Sequence, residues 1–180
     1  MPFIVLVGPK HSGKTSAGKA LALILSCGFV DLDELIAERS GKSPRALYSE
    51  GAEVFRKAEA EALTALFASE RAAPASLVIA AGGGVVDNPD ALPLLKKNAV
   101  ISVFLDVSAE TAWERIKAAG ELPPFLKTEN PAETHRSLHE RRSAAYQQLA
   151  SLVIKADGKS PPEIAREIAN LLFVNPSVCS

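Results

Sequence analysis

Cysteine is scarce in this sequence, because only Cys27 and Cys179 occur among its 180 residues. Two cysteines so far apart make neither a disulfide framework nor a metal-binding knuckle, and they fit a reduced cytosolic setting. Long apolar runs are also missing, since no stretch approaches the roughly 20 residues that span a bilayer. The amino terminus has no basic segment ahead of its short apolar run. We therefore expect neither a signal peptide nor a membrane anchor.

An excess of charge of either sign is missing as well. The chain has 20 basic and 21 acidic residues and a net charge of −1. Nucleic-acid and anionic-membrane partners usually require a basic surface, so we expect neither. The composition, 47% hydrophobic and 23% charged, is that of an ordinary globular domain long enough to bury a full core. We expect a monomer.

What the sequence does contain is a phosphate-binding loop. Residues 8–15, Gly-Pro-Lys-His-Ser-Gly-Lys-Thr, fit the pattern G-x-x-x-x-G-K-[ST]. The apolar residues 3–7 before the loop indicate a buried strand, and residues 16–26 behind it have a helical period. Backbone N–H groups of such a loop cradle phosphate oxygens, while the lysine reaches the β- and γ-phosphates. The predicted nucleotide-binding residues here are Gly8, Pro9, Lys10, His11, Ser12, Gly13, Lys14, Thr15 and Ser16.

Strand-like apolar runs alternate with helical patterns along the rest of the chain. The further predicted strands are 28–33, 77–81, 100–105 and 152–155. Helices are predicted over 53–70, from Asn88-Pro89, after Ser108, from Pro131 and from a capping box at 160–163, with a proline-containing linker at 72–76. This alternation predicts a three-layer α/β sandwich with a five-stranded, mostly parallel sheet.

For three polar or glycine-rich features, the residues alone leave two interpretations open. Asp31 and Asp33 would lie on the same side of strand 28–33, but an Asp-rich helix cap fits too. The glycines at 82–84 would let a ligand approach the backbone, or would form a flexible loop. Arg56 and Glu59 face each other on a helix, where a solvated ion pair is the simpler interpretation.

Residues 120–130 have neither a helical nor a strand period. They contain two prolines, and we expect Phe125 and Leu126 to be exposed. The segment is typical of a loop able to close over a site. On the helix behind it, Arg142 and Tyr146 share one face, four residues apart.

These motifs together resemble the shikimate kinase family, in the nucleoside-monophosphate-kinase-like branch of phosphate-loop proteins, from Phe3 to about Leu172. The family's Asp-x-Asp matches 31–33, its Phe-Arg-x-x-Glu matches 55–59, and its triple glycine and Arg-x-x-x-Tyr match 82–84 and 142–146. The resemblance implies ATP-dependent transfer to the 3-hydroxyl of shikimate, in aromatic amino-acid biosynthesis. It also implies one domain, 1–180, with core segments 1–30, 77–118 and 149–173, an acceptor-binding insertion at about 31–62 and a lid at about 119–131.

The resemblance assigns roles at the acceptor end. Arg56 and Arg142 would clamp the shikimate carboxylate with planar guanidinium groups, and Glu59 would orient Arg56. Asp33 would be catalytic, orienting the attacking hydroxyl and accepting its proton. The residues that would bind the substrate are Asp33, Arg56, Glu59, Gly82, Gly83, Gly84 and Arg142.

Roles at the nucleotide end follow from the same resemblance. Lys14 would be catalytic at the transferring phosphate. Thr15 and, through water, Asp31 would hold Mg²⁺. The adenine would lie between Arg115 and the loop at Pro161.

Two departures from the family pattern bear on activity. His11 replaces a glycine inside the phosphate loop, where we expect an exposed side chain and intact binding. Leu122 replaces the lid arginine, for which Lys127, Lys117 or Arg136 would have to compensate. Two other functions stay open: a kinase of another small hydroxy-acid, such as a gluconate-type sugar acid, and a catalytically degenerate nucleotide-binding regulatory protein.

Overall fold

A computed structural model describes residues 3–69, 77–97, 99–120 and 122–174. Its strands are β1 (Phe3–Val7), β2 (Gly28–Asp31), β3 (Leu77–Ala80), β4 (Val100–Asp106) and β5 (Leu152–Lys155). They form one sheet in the order β2-β3-β1-β4-β5, and each neighbouring pair is parallel. The predicted five-stranded sheet is confirmed, and it is parallel throughout.

Helices connect the strands and start where local sequence caps them. They are α1 (Lys14–Leu25), α2 (Leu32–Ser40), α3 (Pro44–Glu50), α4 (Ala52–Ser69), α5 (Leu92–Leu95), α6 (Ala109–Ala118), α7 (Pro131–Leu149) and α8 (Pro161–Val174), with 3-10 turns at Val85–Asp87 and Pro124–Leu126. At the start of α6 the Ser108 hydroxyl accepts from the Thr111 N–H at 3.1 Å. The predicted capping box of α8 is confirmed, because the Ser160 N–H donates to the Glu163 carboxylate at 2.8 Å.

The core lies on both faces of the sheet. In β1, Ile4 and Leu6 belong to one buried cluster while Val5 and Val7 belong to the other, as strand alternation requires. The first cluster packs against α1, α6 and α8, and the second against α2, α4 and α7. A sheet covered on both faces explains why its strands are almost continuously apolar. The predicted three-layer sandwich is confirmed.

The second strand is shorter than predicted. It ends at Asp31, whose carboxylate accepts from the Asp33 N–H at 3.1 Å and caps α2. Asp33 therefore lies in the first turn of a helix, and the prediction that strand periodicity places it beside Asp31 is wrong. The helix-cap alternative holds for Asp31, because its oxygen takes a helix N–H that would otherwise lack a partner.

The predicted helix start at Asn88-Pro89 is also wrong, because α5 begins at Leu92. The Asn88 carboxamide oxygen accepts from the N–H groups of Asp90 and Ala91, at 3.1 and 3.3 Å. This side chain closes a turn, and the helix follows it.

Leu126 corrects the prediction for the loop before α7. It was expected to be exposed, yet its side chain is fully buried, because the 3-10 turn at Pro124–Leu126 directs it inward. Phe125 is exposed, as predicted. The predicted linker at 72–76 lies outside the described residues.

Parallel strands bring their carboxyl ends to one edge of the sheet, where open α/β sheets bind ligands. The phosphate loop follows β1 there, Asp31 ends β2, and the triple glycine follows β3. Within the described ranges, no helix is long and apolar enough to cross a membrane.

Candidate active site

One cavity of about 1040 Å³ occupies this edge of the sheet. Its walls include the phosphate loop at one end and Arg56 and Arg142 at the other. The structure thus brings most of the predicted nucleotide and acceptor residues to one cavity, whereas Gly8, Pro9 and Glu59 do not line it. The predicted site residues that line it are Lys10, His11, Ser12, Gly13, Lys14, Thr15, Ser16, Asp31, Asp33, Arg56, Gly82, Gly83, Gly84, Arg115, Arg142 and Pro161.

The phosphate loop has the backbone that its sequence predicts. Gly8 has φ +146°, and a Cβ there would come within 2.8 Å of the Leu105 carbonyl oxygen, so only glycine fits. His11 has φ +60° and is exposed. It adopts a left-handed conformation that glycine takes without cost, so the loop keeps its course despite the substitution.

The ammonium group of Lys14 is held inside the loop. Its Nζ donates to the carbonyls of Gly8 and Pro9 at 3.0 and 2.7 Å, and to the Ser12 hydroxyl at 3.3 Å. Burial lowers the pKa of Lys14 to about 8, against the opposing charges of Asp33 and Asp31. The group is therefore a preorganised cation at the phosphate position.

Thr15 and Asp31 meet at the base of α1. The Thr15 hydroxyl donates to the Asp31 carboxylate at 2.7 Å, so both oxygens lie beside the phosphate loop. In the described ranges, no group of three or more His, Cys, Asp or Glu side chains is arranged to hold a metal. Such a partial oxygen set suits Mg²⁺, which commonly takes one or two protein oxygens and completes its shell with phosphates and water.

Asp33 also lines the cavity. Burial raises the pKa of its carboxyl group, the nearby Asp31 charge raises it further, and Lys14 and Lys10 partly offset both effects. A carboxylate with a raised pKa is a stronger proton acceptor, and this is the property a general base requires.

The triple glycine joins the two ends of the site. A Cβ at Gly83 would lie 3.1 Å from the backbone nitrogen of Lys10. Bare backbone there lets the loop after β3 approach the phosphate loop closely. The Tyr146 hydroxyl donates to the Gly83 carbonyl and fixes this loop to α7.

Glu59 differs from its sequence interpretation. It is fully buried rather than solvated, and Arg56 pairs instead with Glu53. Its Oε2 accepts from the Asn88 amide at 2.9 Å, while the buried Oε1 has no hydrogen-bond partner within the described part of the chain. Burial raises the pKa of Glu59 to about 7, although the Asn88 hydrogen bond lowers it.

Asp87, Asn88 and Arg141 were missed by the sequence interpretation. The Asp87 carboxylate binds Arg142 at 2.7 Å and Arg141 at 2.6 Å. The available signal was position, since Asp87 and Asn88 follow the triple glycine within four residues. Their partners lie 29 to 55 residues away in the chain, so only the fold reveals the contacts.

At the nucleotide end, Arg115 comes from α6 and Pro161 begins α8. The Arg115 guanidinium donates to the His11 carbonyl at 3.0 Å. Both predicted adenine-flanking residues line the cavity.

The predicted lid presents an apolar surface to the cavity. Leu122 and Phe125 line the cavity, and the Phe125 ring lies 5.7 Å from the Arg142 Cζ. Lys127 and Arg136 are exposed and do not line the cavity, and Lys117 pairs with Glu114 at 2.7 Å. None of these three cations reaches the cavity in this conformation of the described residues.

The phosphate loop follows β1 of a parallel sheet, and it shares one cavity with an arginine pair and an acidic residue. Together these features define a phosphate-loop kinase that acts on a small anionic molecule. Comparisons with known proteins define the family. A family model described as shikimate kinase matches residues 10–173. A shikimate kinase from a Sulfurihydrogenibium species is 38% identical over 169 residues, which cover 93% of this chain and 96% of that protein.

Solved structures agree. Shikimate kinase from Acinetobacter baumannii in complex with shikimate superposes with a TM-score of 0.85 at 31% identity, covering 97% of this chain and 94% of that one. A gluconokinase from Sinorhizobium meliloti, with a TM-score of 0.55 at 18% identity over 98% and 95% of the two chains, shares the fold alone. This chain belongs to the shikimate kinase family.

Proposed function

We propose that this protein transfers the γ-phosphoryl group of ATP to the 3-hydroxyl of shikimate, a step of aromatic amino-acid biosynthesis. The observation that carries the proposal is that one cavity is lined by the phosphate loop, Asp33 and the two arginines. Shikimate carries one carboxylate and three hydroxyls. Its carboxylate would bind Arg56 and Arg142, and a ring hydroxyl would then lie toward Asp33 and the phosphate loop.

The transfer needs alignment and charge neutralisation more than covalent chemistry. The 3-hydroxyl oxygen forms a bond to the γ-phosphorus, the bond from that phosphorus to the β–γ bridging oxygen breaks, and ADP leaves. Asp33 accepts the hydroxyl proton, and its raised pKa favours this role. Lys14 stabilises the charge that develops on the phosphoryl oxygens and the leaving group.

Mg²⁺ would be held by Thr15 and, through water, by Asp31. When bound there, it neutralises charge on the β- and γ-phosphates. The adenine would lie between Arg115 and Pro161, which line the cavity beside the phosphate loop. Residues 31–62 would form the acceptor-binding insertion, and residues 119–131 the lid.

The test is ADP release measured with several acceptors side by side. We expect shikimate to support turnover far above that with gluconate or with nucleoside monophosphates, and ³¹P NMR to show phosphorylation at the 3-position. Greater turnover with gluconate would replace shikimate by a sugar acid as the substrate. ATP binding without turnover on any acceptor would indicate the degenerate regulatory protein instead.

A further inference from the structure

Asp87 and Asn88 connect the two helices that carry the acceptor arginines. They end the 3-10 turn that follows the triple glycine. Asp87 contacts Arg142 on α7, and Asn88 contacts the Arg56 carbonyl on α4. We call this pair of residues the Asp87–Asn88 brace.

Asp87 holds the guanidinium of Arg142 by one edge only. Its Oδ2 accepts from the Arg142 Nε at 2.8 Å and from Nη2 at 2.7 Å. An arginine has five N–H donors in a planar fork. The edge that includes Nη1 therefore keeps its donors for a second carboxylate, while the Phe125 ring lies 5.7 Å from Cζ. The ring and Asp87 together restrict the orientation of the guanidinium plane.

Arg141 balances the charge of this contact. It donates to both Asp87 oxygens, at 2.6 and 3.1 Å. Burial alone would raise the pKa of Asp87, but the hydrogen bonds and charges of Arg141 and Arg142 lower it. The Asp87 carboxylate therefore stays ionised at neutral pH. Two guanidinium groups share one carboxylate, and the cluster therefore keeps a net positive charge toward an anionic acceptor.

Asn88 anchors the other end of the brace. It is fully buried, and its amide donates to the Arg56 carbonyl at 2.8 Å and to Glu59 at 2.9 Å. Its oxygen accepts from two N–H groups of its own turn. Because both the nitrogen and the oxygen of this carboxamide have partners, the turn is fixed to α4. Asp87 lies next to Asn88 in this turn, so its position is fixed as well.

We propose that the Asp87–Asn88 brace positions Arg142 relative to Arg56, and that Asp87 is thereby a positioning residue for recognition of the acceptor carboxylate. This inference rests on the proposed function, in which the two arginines bind that carboxylate. Holding Arg142 in the binding orientation removes the entropic cost of ordering a long side chain when the acceptor arrives. The side-chain contacts of Asp87 are with Arg141 and Arg142 and not with Asp33 or Lys14, so we expect its effect on acceptor binding.

The experiment compares Asp87→Ala and Asp87→Asn with the wild type, using shikimate as the acceptor. We expect Asp87→Ala to raise the acceptor KM about tenfold, the order expected when one side chain must be ordered on binding. The kcat and the ATP KM should stay within about twofold of the wild type, because this ordering affects only acceptor binding. Asp87→Asn should show a smaller effect in the same direction. Asp90→Ala removes an exposed carboxylate from the same turn and is the matched control.

A double-mutant cycle with Arg142→Ala separates positioning from general damage. If Asp87 acts through Arg142, Asp87→Ala raises the acceptor KM in the wild type but adds nothing once Arg142 is gone. An equal effect in both backgrounds would overturn the proposal. So would a fall in KM with Asp87→Ala, since Asp87 would then be a competing anion. If the wild type does not phosphorylate shikimate, the proposed function itself fails, which is a distinguishable result.

Discussion

Among individual residues, Lys14 shows that the phosphate loop is preorganised for nucleotide binding. Its ammonium lies among loop oxygens, and burial lowers its pKa to about 8. We expect Lys14→Ala to reduce kcat by several orders of magnitude, because it removes the full charge at the β–γ bridge of ATP. Steady-state ADP release measures this, with the exposed Lys19→Ala on the same helix as control. Turnover near the wild-type level would contradict the phosphate-loop assignment.

Asp33 allows chemistry to be separated from binding. Asp33→Asn keeps the shape and the hydrogen-bonding reach of the side chain but removes the proton acceptor. We expect kcat to fall much more than acceptor affinity, as for a group that acts mainly in the transition state. Glu34→Gln, at the next position on α2, is the control. An unchanged kcat would show that Asp33 only contributes to the helix start.

At the scale of elements, sequence predicted best what depends on neighbours in the chain. The phosphate loop, the cap of α6 and the strand β5 each follow from a short run of residues, and all appear where expected. The end of β2 was mispredicted because Asp31 fits a strand end and a helix cap equally well. The contacts of Asp87 with Arg142 could not be predicted, because they join residues 55 apart and require the completed sheet.

The predicted lid is an element in which we expect this chain to depart from the pattern of the family it resembles. A cation over the transferring phosphoryl group can contribute a rate factor of roughly 10³–10⁵, yet the family resemblance predicts Leu122 at the position of that cation. In the structure Lys127 is exposed and does not line the cavity. Compensation by Lys127 would therefore require the lid to move.

We accordingly expect Leu122→Arg to raise kcat, because the new guanidinium would enter the cavity from a position that already lines it. Lys127→Ala tests the alternative cation and should leave kcat nearly unchanged. Single-turnover phosphoryl transfer measures both variants. A large loss with Lys127→Ala would show that the lid closes further and brings this lysine to the phosphates. If neither substitution alters the rate, the lid carries no charge role.

For the whole molecule, Glu59 links the site to global stability. It is fully buried on α4, its Oε2 bonds Asn88, and its Oε1 has no partner within the described ranges. A buried carboxylate is costly when ionised. The fold thus holds a group beside the predicted acceptor residues Gly82 and Asp33 that lowers its stability.

The pH dependence of unfolding measures how much stability the buried Glu59 carboxylate costs. Burial raises the Glu59 pKa from the ordinary 4.5 to about 7, so between these values the folded state keeps a proton that the unfolded state has lost. Stability contributed by this group must then fall as pH rises from about 4.5 to 7, by on the order of a few kcal/mol. Glu59→Gln keeps the acceptor for Asn88 and cannot ionise. We expect the Tm of this variant, relative to that of the wild type, to increase as the pH rises from 5 to 8. Thermal unfolding followed by circular dichroism measures both Tm values, and Glu61→Gln at an exposed position of α4 is the control. A Tm difference that does not change with pH would mean that Glu59 ionises freely in the folded protein.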